Sequence, residues 1–143
     1  AGLIAFLDEV EQRLGRLDVL VNNAGINIRK PAHEMALDEW RQVLDVHVDG
    51  AFHLTKAVLL GMVDAGWGRI VNIASEAVWL GNQSVQYVTA KAALVGFTRS
   101  LAYQVAPAGV RVNAVAPGPT ITNIEARFAS PLRVTVYLCV SPD

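Results

Sequence analysis

Apolar residues at Leu3, Phe6, Leu7, Val10 and Leu14 recur at the helical period, and Gly15 suits a C-terminal stop, so a helix is expected over 3–14. The β-branched-rich run Leu17-Asp18-Val19-Leu20-Val21 follows, closed by the turn composition Asn22-Asn23-Ala24-Gly25, and reads as a buried strand. After a loop through Pro31, a long helix is expected over 37–63, with Asp38 and Glu39 at its positive dipole end. Gly66-Trp67-Gly68 breaks it, and 69–74 forms the next strand. A loop over 75–83 leads into a helix over 84–106, which Pro107 and Gly109 end. A third strand over 110–115 stops at Pro117-Gly118-Pro119, and 131–140 reads equally as helix or strand. Strands alternating with long helices at this spacing predict an α/β fold with a parallel sheet and helices on its faces, in one domain over 1–143.

Composition sharpens this picture in three places. Hydrophobic residues make up 52% and the mean hydropathy is +0.33, which the expected sheet would absorb through strands buried on both faces. The longest uncharged stretch, 77–90, has 14 residues and contains Gly81, Asn82 and Gln83, short of the roughly 20 apolar residues a membrane span needs. With 12 basic and 13 acidic side chains and a net charge of -1, the chain shows no basic excess of the kind nucleic acid or an anionic membrane attracts. Cys139 is the only cysteine, so no internal disulfide can form, and a reducing, cytoplasmic setting is expected. His33 and His53 have no partners at metal-ligand spacing and read as loop and helix-face residues.

Candidate chemistry gathers around Tyr87 and Lys91, four apart and therefore one turn apart on the same face of the third long helix. An ammonium beside a phenol favours the phenolate, which suits such a tyrosine to general acid/base work. The pattern alone is common by chance. Its weight comes from convergence. In a parallel α/β sheet, ligands bind outside the carboxyl ends of the strands. The turn 22–25, the loop starting at Ser75 and the segment 117–122 each follow a predicted strand, so all three reach that rim.

These residues, in this order, resemble the short-chain dehydrogenase/reductase family over about residues 1–123. Asn22-Asn23-Ala24-Gly25 is similar to the family motif that supports the sheet beside the adenosine site, and Ser75, Tyr87 and Lys91 match its serine and Tyr-x-x-x-Lys pair. Val112 to Gly118, with Thr122, is similar to its nicotinamide-side segment. The resemblance implies a Rossmann-like, doubly wound parallel sheet with flanking helices and hydride transfer between NAD or NADP and a small carbonyl or secondary alcohol. It implies Tyr87 as acid/base, Lys91 on the nicotinamide ribose, Ser75 on the substrate oxygen and Thr122 on the carboxamide. Asn22, Ala24, Gly25, Pro117 and Gly118 would complete the cofactor surface. A homodimer or homotetramer is implied, packed through the helices 37–63 and 84–106, whose Ala90, Ala92, Ala93 and Gly96 permit close approach and would serve internal packing equally well.

The sequence departs from the family pattern at several points. His47 stands where the family usually has an asparagine that links the lysine to a proton-relay water; an imidazole can act as a substitute relay or simply as a partly buried helix residue. Ser75 and Tyr87 are one residue closer than is common, and Thr120 replaces an apolar residue. No Gly-x-x-x-Gly-x-Gly turn is found, so the pyrophosphate cradle and the residue selecting NAD from NADP are expected to lie before Ala1. The segment after Thr122 is shorter than the family's, and Val136-Tyr137-Leu138-Cys139 faintly resembles a later family helix. The strand near Val19 would then show an unpaired apolar edge and leave the isolated chain marginally stable. Trp79 reads as packing under its loop, with a substrate-facing position as the alternative, while Trp40 reads as helix-start packing and Trp67 as a turn cap. Two functions compete: a catalytic oxidoreductase, and a non-catalytic remnant that associates through its long helices with itself or a full-length relative. A flavodoxin-like binding module fits the four ordered motifs poorly.

Overall fold

The computed structural model describes residues 2–118 and 134–135, without the side chains of residues 3, 4, 134 and 135. Helix α1 (Gly2–Leu14) precedes strand β1 (Val19–Asn22). Helices α2 (Leu37–Leu44) and α3 (Gly50–Asp64) follow, joined by a π-helical turn at Asp45–Asp49. Strand β2 (Gly68–Ile73), the single-turn helix α4 (Ala77–Leu80), helix α5 (Val85–Val105), strand β3 (Val110–Pro117) and the two-residue β4 (Val134–Thr135) complete the order. The sheet runs β1-β2-β3-β4, parallel across the first three strands and antiparallel at the last pair. Thr122 and most of 131–140 lie outside the described residues; the part of 131–140 that is described, β4, is strand.

The period-2 alternation of strand side chains decides where the core forms. Ile70 on β2 and Val110 and Val112 on β3 are buried on one face against Val58 and Met62 of α3 and Leu101, Ala102 and Val105 of α5, with Leu7 of α1 joining from α3's side. The alternate face is covered less than expected: Val19 and Val21 are 54% and 53% exposed, and Val71, Ile73 and Val115 are only partly buried. The strands are therefore buried on one face rather than two, because the two long helices after β1 both pack on the same side. Among the described residues no helix is long and apolar enough to cross a membrane.

Two other expectations change. The helix expected over 37–63 contains a wide turn, in which the Gly50 N–H reaches back to the Asp45 carbonyl rather than forming a regular α bond. The loop expected over 75–83 includes α4, closed by Gly81 in the left-handed conformation (φ 64°). The start of α2 is fixed by Glu39, whose carboxylate accepts the Ala36 N–H at 3.1 Å.

Candidate active site

The sheet's carboxyl edge is built on a buried polar ladder. Asn22 Nδ2 donates to Asn72 Oδ1 at 2.8 Å and to Thr55 Oγ1 at 3.3 Å. Asn72 Nδ2 donates to Thr98 Oγ1, and the Thr98 hydroxyl to Leu94 O. These bonds tie β1 to β2 and both to α3 and α5, fixing where the loops after the strands emerge. Asn22 is thus committed inward, while Asn23, Ala24 and Gly25 sit exposed at the rim. Asn72, Thr55 and Thr98 were not singled out from sequence; an asparagine on a strand otherwise rich in Ile and Val was the available signal.

Lys91 is 4% exposed on α5, and its Nζ donates to the carbonyl of Ile73, the last residue of β2, at 2.5 Å. Burial pulls its pKa from 10.5 down to about 8. The ammonium lies 5.7 Å from the centre of the Tyr87 ring, the i,i+4 pairing expected from the helix. Ser75, just beyond β2, accepts the Ala77 N–H on Oγ at 3.2 Å, so its hydroxyl hydrogen remains to donate elsewhere. The next residue, Glu76, donates its N–H to Pro117 O, which brings the loop after β2 against the end of β3.

His47, in the π turn, is buried and meets Tyr87 edge-on, with ring centres 5.6 Å apart at 87°. Its Nε2 lies 2.8 Å from Ile26 O and 3.1 Å from Ile26 N. One imidazole nitrogen cannot donate and accept at once. The shorter contact assigns the hydrogen to Nε2, which leaves Nδ1 as a buried acceptor with no partner among the described residues. Burial first, and the nearby Lys91 charge after the opposing Ile26 bond, lowers its pKa below 6.5 and keeps the ring neutral. His47 therefore sits beside Tyr87 and pins the loop after β1.

That packing explains Gly25: a Cβ there would run into His47 Cε1. Gly25→Ala is expected to cost about 1–3 kcal/mol by overpacking. Most of that cost should vanish in a His47→Asn background, where the ring is gone; urea melts of the four proteins in this cycle check it, and simple additivity would refute the contact.

Trp79 is 49% exposed rather than packed under its loop, and Trp67 carries the Arg69 guanidinium 4.6 Å over its ring. Pro117 and Gly118 stand at the end of β3 beside Glu76, and Thr122 lies outside the described residues.

These are parallel strands with a lysine held at the end of the second and a tyrosine one turn away, and the family model for short chain dehydrogenases matches residues 1–132: the chain belongs to that family. It is 43% identical over 127 residues to a 3-oxoacyl-(acyl-carrier-protein) reductase of Aquifex aeolicus, covering 88% of this chain and 51% of that one. To an acetoacetyl-CoA reductase of Cupriavidus necator it is 45% identical over 118 residues, covering 82% and 48%. The crystal structure of an NAD+-bound xylitol dehydrogenase superposes with a TM-score of 0.80 at 37% identity, covering 85% of this chain and 48% of the other. The chain spans about half the length of these relatives.

Proposed function

We propose that this chain supplies the catalytic part of an NAD(P)-dependent reductase or dehydrogenase acting on a small carbonyl or secondary alcohol. The observation that carries this reading is Lys91, buried, anchored to Ile73 O and one helical turn from Tyr87. In reduction Tyr87 gives its hydroxyl proton to the carbonyl oxygen, and in oxidation it takes the proton back. Ser75 donates its free hydroxyl hydrogen to the same oxygen, orienting it and stabilising charge that develops there. Lys91 spends one of its three hydrogens on Ile73 O, and the other two fit the ribose hydroxyls of a nicotinamide nucleotide. That group, when bound, supplies the hydride. Ala24, Gly25, Pro117, Gly118 and Thr122 would line it, with Asn22 holding the turn from beneath. His47 acts as a positioning residue, holding both the loop at Ile26 and the edge of the Tyr87 ring.

Titrating the chain with NADH and NADPH while following cofactor fluorescence tests this reading. Saturable binding with a preference for one nucleotide supports it; no binding of either overturns it for this chain.

A second reading, self-association, is favoured by one surface. Phe52 and Leu60 on α3 and Tyr103 on α5 are exposed, and Ala92 and Gly96 expose small residues along the same helix as Tyr103. A Cβ on Gly96 meets nothing within 4 Å in its own chain. Gly96→Arg should therefore leave the far-ultraviolet circular dichroism of the folded chain unchanged while raising the dimer dissociation constant at least about tenfold, or 1.4 kcal/mol. Light scattering on a size-exclusion column reads the mass; a mass indifferent to the substitution would remove these helices as the interface.

A further inference from the structure

We propose that Gln86 is a positioning residue for Tyr87: its amide clamps the loop after β1 onto the start of α5 and so fixes where the tyrosine stands. The inference rests on the oxidoreductase reading above and deepens it. Two side chains flank Tyr87, His47 in space and Gln86 in sequence, and both end on the same short loop.

Gln86 is the second residue of α5 and is wholly buried. Its Nε2 donates to Ile28 O. The residues just before Ile28 are fastened in turn. His47, in the π turn, lies 2.8 Å from Ile26 O. Between these two anchors, the Asn27 amide donates to Gln83 Oε1 at 3.3 Å, and its Oδ1 accepts the Ser84 hydroxyl at 3.0 Å. Three consecutive residues without regular secondary structure are thus tied to the π turn, to the loop before α5 and to α5 itself. The loop continues directly from Ala24 and Gly25, which the reading above sets against the nucleotide. Its fastening therefore governs the distance between that nucleotide and the phenol that exchanges a proton with the substrate. Misplacing reacting groups by about 1 Å costs roughly 10²-fold in rate.

Stability alone does not call for a glutamine here. Its Oε1 is buried with no partner among the described residues, an arrangement that opposes folding. Methionine would fill nearly the same space without stranding an acceptor. Ile28 is only partly buried, so its carbonyl would lose a bond without being sealed from water. What the glutamine adds is a donor long enough to reach from α5 to the loop.

Relaxation of ¹⁵N-labelled wild-type chain is the first measurement. The amides of residues 26–28 are expected to be as rigid as those of α5, with order parameters of about 0.85. Gln86→Met should lower the value at Ile28 toward about 0.6 without lowering the melting temperature. It should also reduce kcat about tenfold or more for ethyl acetoacetate with NADH or NADPH, with KM for the nucleotide changed less than about threefold. Gln86→Glu supplies the rescue. A carboxylate offers Ile28 O no hydrogen, whereas the protonated acid does, and burial favours the protonated acid. Its kcat, as a fraction of wild type, should rise at least about threefold from about pH 8 to about pH 5.5, while that of Gln86→Met stays level. His47, Tyr87 and Lys91 are present in all three proteins, so their titration cancels in these ratios.

A methionine variant with wild-type kcat overturns the proposal, and so does one that loses turnover only in step with its melting temperature. A glutamate variant impaired to the same degree at every pH removes the bond to Ile28 O as the cause. A wild-type loop already mobile at 26–28 overturns the clamp before any variant is made. The two readings also fail separately. A chain that binds neither nucleotide, yet has a rigid loop that Gln86→Met loosens, sinks the proposed function and keeps the clamp. Turnover that survives Gln86→Met does the reverse.

Discussion

Tyr87→Phe is expected to lower carbonyl turnover by about 10²–10⁴-fold while leaving nicotinamide nucleotide binding within a factor of about two. The substitution removes one oxygen and its proton and keeps the ring that packs edge-on against His47 at 5.6 Å, so the fold around the site should persist. The ammonium of Lys91 also stays where Ile73 O holds it. Parallel measurements of NAD(P)H oxidation and of cofactor fluorescence separate the two effects. A phenylalanine variant that keeps wild-type turnover would remove Tyr87 from the acid/base role; one that loses both readouts would point to a structural part for the residue instead.

Lys91→Met is expected to abolish turnover and at the same time stabilise the protein. Burial lowers the Lys91 pKa from 10.5 to about 8, so keeping its charge inside the fold costs on the order of 3 kcal/mol. Below pH 8 both the folded and unfolded chains carry the proton and the full cost is present. Between about 8 and 10.5 the unfolded chain alone holds it, so stability rises with pH through that window. Methionine removes the charge and loses the bond to Ile73 O, a loss of about 1 kcal/mol, for a net gain of roughly 1–3 kcal/mol at pH 7. Urea melts at pH 7 and pH 10 check both statements: the wild type should gain stability between them by this route and the methionine variant should not. A methionine variant less stable than wild type at pH 7 would show that the Ile73 bond outweighs the cost of burial. On the expected outcome, a more stable methionine variant, the same residue is a liability to the fold and a requirement of the proposed chemistry, the opposition expected where a site demands a buried charge.

Much of this architecture is legible in the sequence because each element carries a strong local pattern. The β-branched runs at 19–21 and 110–115 and the turn residues that close them specify strands before any contact is known. Tyr87 and Lys91 are legible for a different reason: four residues on a helix is a distance, about one turn, whatever the helix packs against. What escaped depends on partners remote in sequence. The π turn at 45–49 hides inside a pattern that reads as continuous helix from Val43 to Ala51; the Gly50 N–H bonded to Asp45 O distinguishes it, and the His47 side chain it carries bonds Ile26, 21 residues back. Ala77-Val78-Trp79-Leu80 is too short for periodicity to tell a helical turn from a loop. The open face of the sheet was missed because composition counts apolar residues without saying which side of a strand they occupy: Val19 and Val21 alternate away from the helices that cover Leu20 and Asn22. Likewise, nothing local to Lys91 announces that its ammonium ends on the carbonyl of Ile73.

The wide turn at Asp45–Asp49 also sets the rotational phase of everything after it. A π turn accommodates one more residue than an α turn, and one residue is about 100° of helical rotation. Winding these same residues as a regular α-helix, with none deleted, would swing α3 by that angle relative to α2. Val58 and Met62 would leave the sheet, Thr55 would leave Asn22, and the exposed Phe52 and Leu60 would change sides with them. The turn that seats His47 beside Tyr87 is thus also the one that assigns which side of the following helix is interior and which is surface.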